Sequence, residues 1–222
     1  MSMHTRLPAL SRHSLTTLLL FAAACAGEES AEPAEEMAEP AGEMAEPAGE
    51  MAQEAAGTAP TCWVRGDVAD RASPLDSATV ELDGATVKVC YGAPSARDRT
   101  VMGGLVPYDQ PWRAGANEAT ALHVTAPVTF GSVRLEPGSY ALYTVPGESE
   151  WRMVLQDEHE RWGIPIPQDA DLGAVTATPE ETPEMVESLT YRFEDEGAGQ
   201  AALVLEWENT RVAVPIRAAG GM

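Results

Sequence analysis

Lysine is almost missing from this chain. One lysine, Lys88, and 14 basic residues in all stand against 35 acidic ones, for a net charge of −21. That imbalance argues against nucleic acid, whose phosphates demand a basic surface, and against electrostatic docking on anionic lipid. Histidine is nearly as scarce. Beyond the first 24 residues only His123 and His159 remain, without His-x-x-x-His or Cys-x-x-Cys spacing to hold a metal. Asp169-Ala-Asp171-Leu-Gly173 opens like a calcium loop but lacks the later ligands and the closing glutamate. No intrinsic metal and no cofactor are expected. There is no apolar run of about 20 residues to span a bilayer, no Gly-x-Ser-x-Gly elbow and no convincing helical period.

The chain does carry a targeting segment. Arg6 and Arg12 make a positive start, Leu15–Ala24 a short apolar stretch free of acidic residues, and Phe21-Ala-Ala-Ala24 runs directly into Cys25. Small residues before a cysteine match a bacterial lipobox, so residues 1–24 read as a signal peptide and Cys25 as the lipidated N-terminus. The alternative is cleavage after an Ala-x-Ala site and release as a soluble protein. Ala26, where an aspartate would favour retention at the inner membrane, favours the outer one. With Cys25 assigned, Cys62 and Cys90 are left as a pair in an oxidising compartment, expected to form a disulfide; two buried free thiols are the alternative.

Residues 25–60 are a low-complexity acidic tether. Glu36-Met-Ala-Glu-Pro-Ala-Gly42 recurs as Glu43-Met-Ala-Glu-Pro-Ala-Gly49. The seven-residue period is not a coiled coil, because each repeat has one apolar anchor and breaks itself with Pro and Gly. Ten glutamates, no basic residue and no aromatic cannot offset the entropy of ordering, which predicts a disordered, self-repelling spacer.

From Thr61 the texture changes to alternating runs rich in Val, Thr, Leu, Tyr and Trp between Gly, Pro and Asp punctuation. Strands are predicted near 78–82, 85–91, 120–125, 128–135, 140–145, 151–156, 188–194, 201–208 and 211–216. Asp83-Gly84 predicts a two-residue hairpin turn, Asn209-Thr210 a turn between the last two strands, and Thr182-Pro183-Glu184 the start of at most one short helix within 179–187. About nine short strands imply an all-β domain over 61–218, a β-sandwich or flattened barrel, followed by a tail at 219–222. Leu203, Leu205 and Trp207 alternate with Val204 and Glu206, which marks Trp207 as a core anchor.

The longest stretch without strand pattern, 92–118, is too long and too apolar for an idle connection. Around it, Tyr91-Gly-x-Pro-Ser95, Gly104-Leu-Val-Pro-Tyr108, Trp112-Arg-x-Gly-Ala-Asn117-x-Ala-Thr120 and Gly138-x-Tyr-x-Leu-Tyr143-x-Val-Pro146 resemble the bacterial domain of unknown function 2911 family. Trp151, Trp162-Gly163 and Leu203-x-Leu-x-Trp207-x-x-Thr-x-Val-x-x-Pro215 extend the resemblance to about residues 75–217. It implies an exported, β-rich envelope protein, often a lipoprotein, and no established activity.

Arg97, Arg99 and Arg113 concentrate positive charge in this loop. Guanidinium groups grip carboxylate or phosphate in a bidentate fork, and with Tyr108, Trp112 and Asn117 they are the candidate lining of an anion or sugar pocket. The alternative is neutralisation by Asp98, Asp109 and Glu118, with Trp112 and Tyr108 capping the core. Ser95 with His123, oriented by Asp98, is the candidate for hydrolysis. Three functions follow: a noncatalytic, membrane-anchored module for a small-molecule, glycan or protein partner; an envelope hydrolase; or a purely structural lipoprotein.

Overall fold

The computed structural model describes residues 60–220. The expected signal peptide, Cys25 and the acidic repeat lie outside the described residues. Ten antiparallel strands and no helix occur among them: β1 Leu75–Leu82, β2 Ala85–Gly92, β3 Ala116–Val124, β4 Val128–Phe130, β5 Val133–Leu135, β6 Gly138–Pro146, β7 Trp151–Gln156, β8 Asp171–Ala177, β9 Glu180–Gly197 and β10 Gln200–Ala218. They form a six-stranded sheet, β1-β2-β3-β6-β7-β8, and a four-stranded sheet, β5-β4-β10-β9. Apolar residues from both enclose one core, so the fold is an all-β sandwich.

Turn chemistry accounts for the hairpins. Asp83 and Gly84 both take positive φ (46° and 88°) and pair Leu82 with Ala85, as a two-residue turn between twisted strands requires. Ala198 and Gly199 do the same between β9 and β10.

Four local expectations are corrected. The single strand expected over 128–135 is a hairpin, folded back at Gly131, whose φ is 57° and whose missing Cβ makes room for Val175 of β8. The short helix expected within 179–187 is the start of β9. Glu181 pairs with Thr210 and Glu180 with Arg211, and the Thr-Pro-Glu signal is overridden by that ladder. Pro183 is tolerated because β9 is an edge strand. The turn expected at Asn209-Thr210 is absent: β10 runs through with register shifts on either side of Glu208, whose φ is 55°. Finally, residues 171–177, which lacked any strand signal, form the edge strand β8.

The core face of the larger sheet carries Val87, Val89 and Tyr91 from β2, Leu122 and Val124 from β3, Leu142 from β6, and Met153 and Leu155 from β7. Trp207 packs opposite them from β10, fully buried as expected. An antiparallel sheet commonly leaves its other face wet. Here that face is buried too: Cys90, Ala121, His123, Ala141, Tyr143 and Gln156 alternate with the core residues and are all inaccessible. Two irregular segments meet them. Residues 60–73 form a strap, joined to β2 by the Cys62–Cys90 disulfide, with a Cα separation of 5.7 Å, and by Lys88 Nζ donating to the Pro60 carbonyl at 2.9 Å. The segment 157–170 supplies His159 against His123 and the Pro167 carbonyl to Gln156.

The disulfide closes a loop spanning 28 residues, which stabilises the fold by about 3 to 4 kcal/mol in the chain-entropy model. Replacing Cys62 and Cys90 with Ala should lower the denaturation free energy by that amount, and amide exchange should accelerate first across 61–72. Unchanged protection of the strap in this variant would show that its other contacts suffice.

Candidate functional site

The site is built on the 92–115 connection between β2 and β3. This segment crosses to the four-stranded sheet and back. Ala96 N bonds the Glu187 carbonyl of β9 at 2.8 Å, and the Glu208 carboxylate, exposed by the β10 irregularity, accepts from Val101 N and Met102 N at 3.1 Å each. Trp112 then exchanges two backbone bonds with Thr144 of β6, at 2.7 and 2.8 Å. Ala96, Val101, Val106 and Ala114 are fully buried anchors. The loop is held by packing and ladder-like bonds along its whole length.

Those anchors shape a cleft of about 370 Å³. Its floor is aromatic: Trp112 stacks on Trp207, with ring centroids 6.0 Å apart and 23° between planes, and meets Trp151 edge-on at 6.3 Å. Pro94, Pro111, Leu105 and Ile164 line its walls, and Arg99, Arg113 and Ser73 bring polar groups. Glycine permits the close approaches. A Cβ on Gly92 would lie 2.2 Å from the Ala116 carbonyl oxygen, and one on Gly163 would lie 2.5 Å from Arg113 Cδ.

The arginines do not meet the carboxylates proposed to neutralise them. Among the described residues, Arg97, Arg99 and Arg113 form no ion pair, whereas Arg71, Arg134, Arg192 and Arg211 do. Arg113 bonds the carbonyls of Gly115 and Asn117, at 3.2 and 3.3 Å. Burial strips its hydration and lowers its pKa, a shift that the more distant Glu118 charge opposes. Arg99 bonds the carbonyls of Ala96 and Ser95, both at 2.9 Å. Glu118 is instead claimed by the strap: Arg71 holds both its oxygens, at 2.7 and 3.0 Å, and Arg65 N donates at 2.8 Å. Burial alone would raise the Glu118 pKa, but these donors outweigh it and leave the pKa lowered.

Of the six predicted lining residues, Arg99, Trp112 and Arg113 share the cleft. The other three lie elsewhere. Arg97 is exposed, with its guanidinium on the Ala72 carbonyl at 2.8 Å. Tyr108 packs over Gly103. Asn117, at φ 64°, donates to the Ser73 carbonyl at 3.0 Å and so fastens the strap beside the cleft. Trp207, Leu105, Ile164 and Ser73 were not singled out as lining. Trp207 read only as core and Leu105 only as an apolar residue of the loop, while Ser73 and Ile164 carry no periodic signal and arrive from distant segments.

The hydrolytic pair does not form. Ser95 Oγ is 2.7 Å from Ser188 Oγ on β9. His123 lies on the outer face of the large sheet, its Nδ1 2.7 Å from Ser139 Oγ and its ring edge-to-face with His159 at 5.4 Å.

Residues 73–216 match the family described as protein of unknown function (DUF2911). The chain belongs to the DUF2911 family. No curated protein and no solved structure matches it. The DUF2911 match begins at Ser73 in the cleft wall and ends at Ile216 in β10, so it contains the aromatic floor, while Cys62, Arg65 and Arg71 of the strap precede it.

His123 carries the clearest pH signature of this DUF2911 domain. Burial, reinforced by the neighbouring His159 and Lys88 charges, lowers its pKa to about 4, against about 6.5 in an unfolded chain. Protonation then favours the unfolded state, so stability should fall as pH drops from about 6.5 to 4, by roughly 3 kcal/mol in total. Urea midpoints of the wild type and His123→Asn across that range should diverge, with the variant flatter. Parallel profiles would mean that His123 is charged in the folded protein.

Proposed function

We propose that this protein is an exported envelope module, anchored to a membrane through lipidated Cys25, whose sandwich binds a small anionic ligand noncatalytically in the Trp112–Arg113 cleft. One observation carries the reading. In a domain with 25 acidic and 12 basic residues outside the first 60 positions, two guanidinium groups line one cleft without a carboxylate partner among the described residues.

The physical case rests on Arg113. It has lost part of its hydration and recovers only two long bonds to carbonyl oxygens. A ligand carboxylate would supply the charge-assisted, two-pronged pairing that is missing. Proline and indole surfaces around it would receive the apolar body of such a ligand, with polar groups fixing its orientation, the usual division of labour in small-molecule sites. The site also stands on a loop braced by rigid strands, where binding residues tend to reside. Export is supported by the Cys62–Cys90 disulfide, a bond that persists in oxidising compartments, together with the signal-like segment ending at Cys25.

Titration of the purified protein with galacturonate, followed by tryptophan emission, should give saturable binding that galactose does not reproduce. Arg113→Ala should weaken it by about 1.5 to 3 kcal/mol, roughly 10- to 150-fold, with little change in melting temperature because the two carbonyl bonds it loses are long. A destabilised Arg113→Ala domain that still binds galacturonate like the wild type would end this reading.

A further inference from the structure

The cleft has a neighbour of similar make-up. Trp162 and Arg65 line a shallow depression of about 310 Å³, and Trp162 is 36% exposed. The Arg65 guanidinium makes no hydrogen bond or ion pair among the described residues; only its backbone is used, with N on Glu118 and the carbonyl accepting from Arg71 at 2.9 Å. Each depression therefore presents an indole beside an arginine without a carboxylate partner.

The two depressions are neighbours along the 162–164 segment. Trp162 belongs to one and Ile164 to the other, and two residues span at most about 7 Å. Between them Gly163 lies against the Arg113 side chain. The segment is stitched to the start of β3, with Gly163 N on the Asn117 carbonyl at 2.9 Å and Ala119 N on the Arg161 carbonyl at 3.0 Å. Glu118, bridged to Trp162 through the backbone, holds Arg65 on its other side. One framework thus fixes both indole–arginine pairs side by side.

From this repetition, and resting on the cleft reading above, we infer that the ligand is a linear glycan with carboxylates on alternate sugars, long enough to occupy both depressions. Indole faces carry partial negative charge and receive the C–H faces of pyranose rings, while each arginine takes an isolated carboxylate. The sparse charge follows from the protein's own field. With 25 acidic residues against 12 basic ones in the domain, a densely charged polyanion would be repelled overall, whereas a lightly charged chain would feel mainly the local guanidinium groups. The exposed Ile164, at 55%, extends the apolar contact along the same track.

Hyaluronan oligosaccharides, which alternate a neutral N-acetylated sugar with a uronate, test this on the full chain by calorimetry. The hexasaccharide should bind at least tenfold more tightly than the disaccharide. Trp162→Ala and Arg65→Ala should each remove most of that gain while leaving disaccharide binding intact. Both side chains lie at the surface, and melting temperatures would verify that the variants fold. Equal affinity for the two lengths, or an undiminished gain in both variants, would overturn the extended site while leaving the cleft reading standing. Chitohexaose binding as tightly as the hyaluronan hexasaccharide would overturn the carboxylate requirement, and tighter binding of a heparin hexasaccharide would overturn the preference for sparse charge. Absence of binding by every acidic sugar, the disaccharide included, would defeat the cleft reading itself and this inference with it.

Discussion

The pairing of Glu118 with Arg71 organises the end of the molecule that holds the cleft. Glu118 is 4% exposed, and a carboxylate at that depth must be ionised against a partner or neutralised. Arg71 and the Arg65 amide supply three donors, and all three come from the strap. The demand of one buried charge therefore fastens residues 65–71 to the start of β3. Because the backbone of the same residue bridges Trp162, it also positions the 157–170 segment. The consequence for the site is indirect but large: with Glu118 satisfied elsewhere, Arg113 is left with carbonyl oxygens only.

The strap and the 157–170 segment serve a second need, since the central strands β2, β3, β6 and β7 of the six-stranded sheet are buried on both faces. The hidden face is partly polar. Tyr143 donates to both oxygens of Asp171, at 3.0 and 3.1 Å, and burial followed by that pairing raises its pKa to about 12. Gln156 reaches the same carboxylate at 2.9 Å and accepts from Arg161 at 2.7 Å. This network is closed, as buried polar groups require. His123 is the exception. Its Nε2 has no partner among the described residues, which is consistent with a ring that stays neutral and titrates far below the usual range.

A scaffold braced on both faces suits a rigid recognition site better than a moving one. Trp112 is locked between Trp151 and Trp207 and tied twice to Thr144. A ligand meeting such a floor orders little of the protein on binding, which reduces the entropic cost of association. The same packing explains why Trp207 has two aspects: its side chain completes the core, and what remains accessible contributes to the cleft.

Much of the architecture was legible along the chain. Period-two alternation marked most strands, Asp83-Gly84 marked its hairpin because Asp and Gly tolerate the two positive φ angles such a turn requires, and the alternation of Leu203, Leu205 and Trp207 marked a core face. Cysteine arithmetic paired Cys62 with Cys90. These are local rules or counting rules, and they need no knowledge of what lies across the fold. The misreadings share one physical cause. Thr182-Pro183-Glu184 looks like a helix start and Asn209-Thr210 like a turn until β9 and β10 hydrogen-bond across them, and β8 has no pattern of its own because it is a half-exposed edge strand. The site divides the same way. The weight placed on Trp112, Arg99 and Arg113 came from composition against an acidic background. That Arg97, Tyr108 and Asn117 face other ways, that Glu118 pairs with Arg71, and that Trp207, Ile164 and Ser73 arrive beside Arg113 was decided by tertiary structure alone, because side-chain direction and charge pairing depend on segments up to some 130 residues apart in sequence being brought into contact.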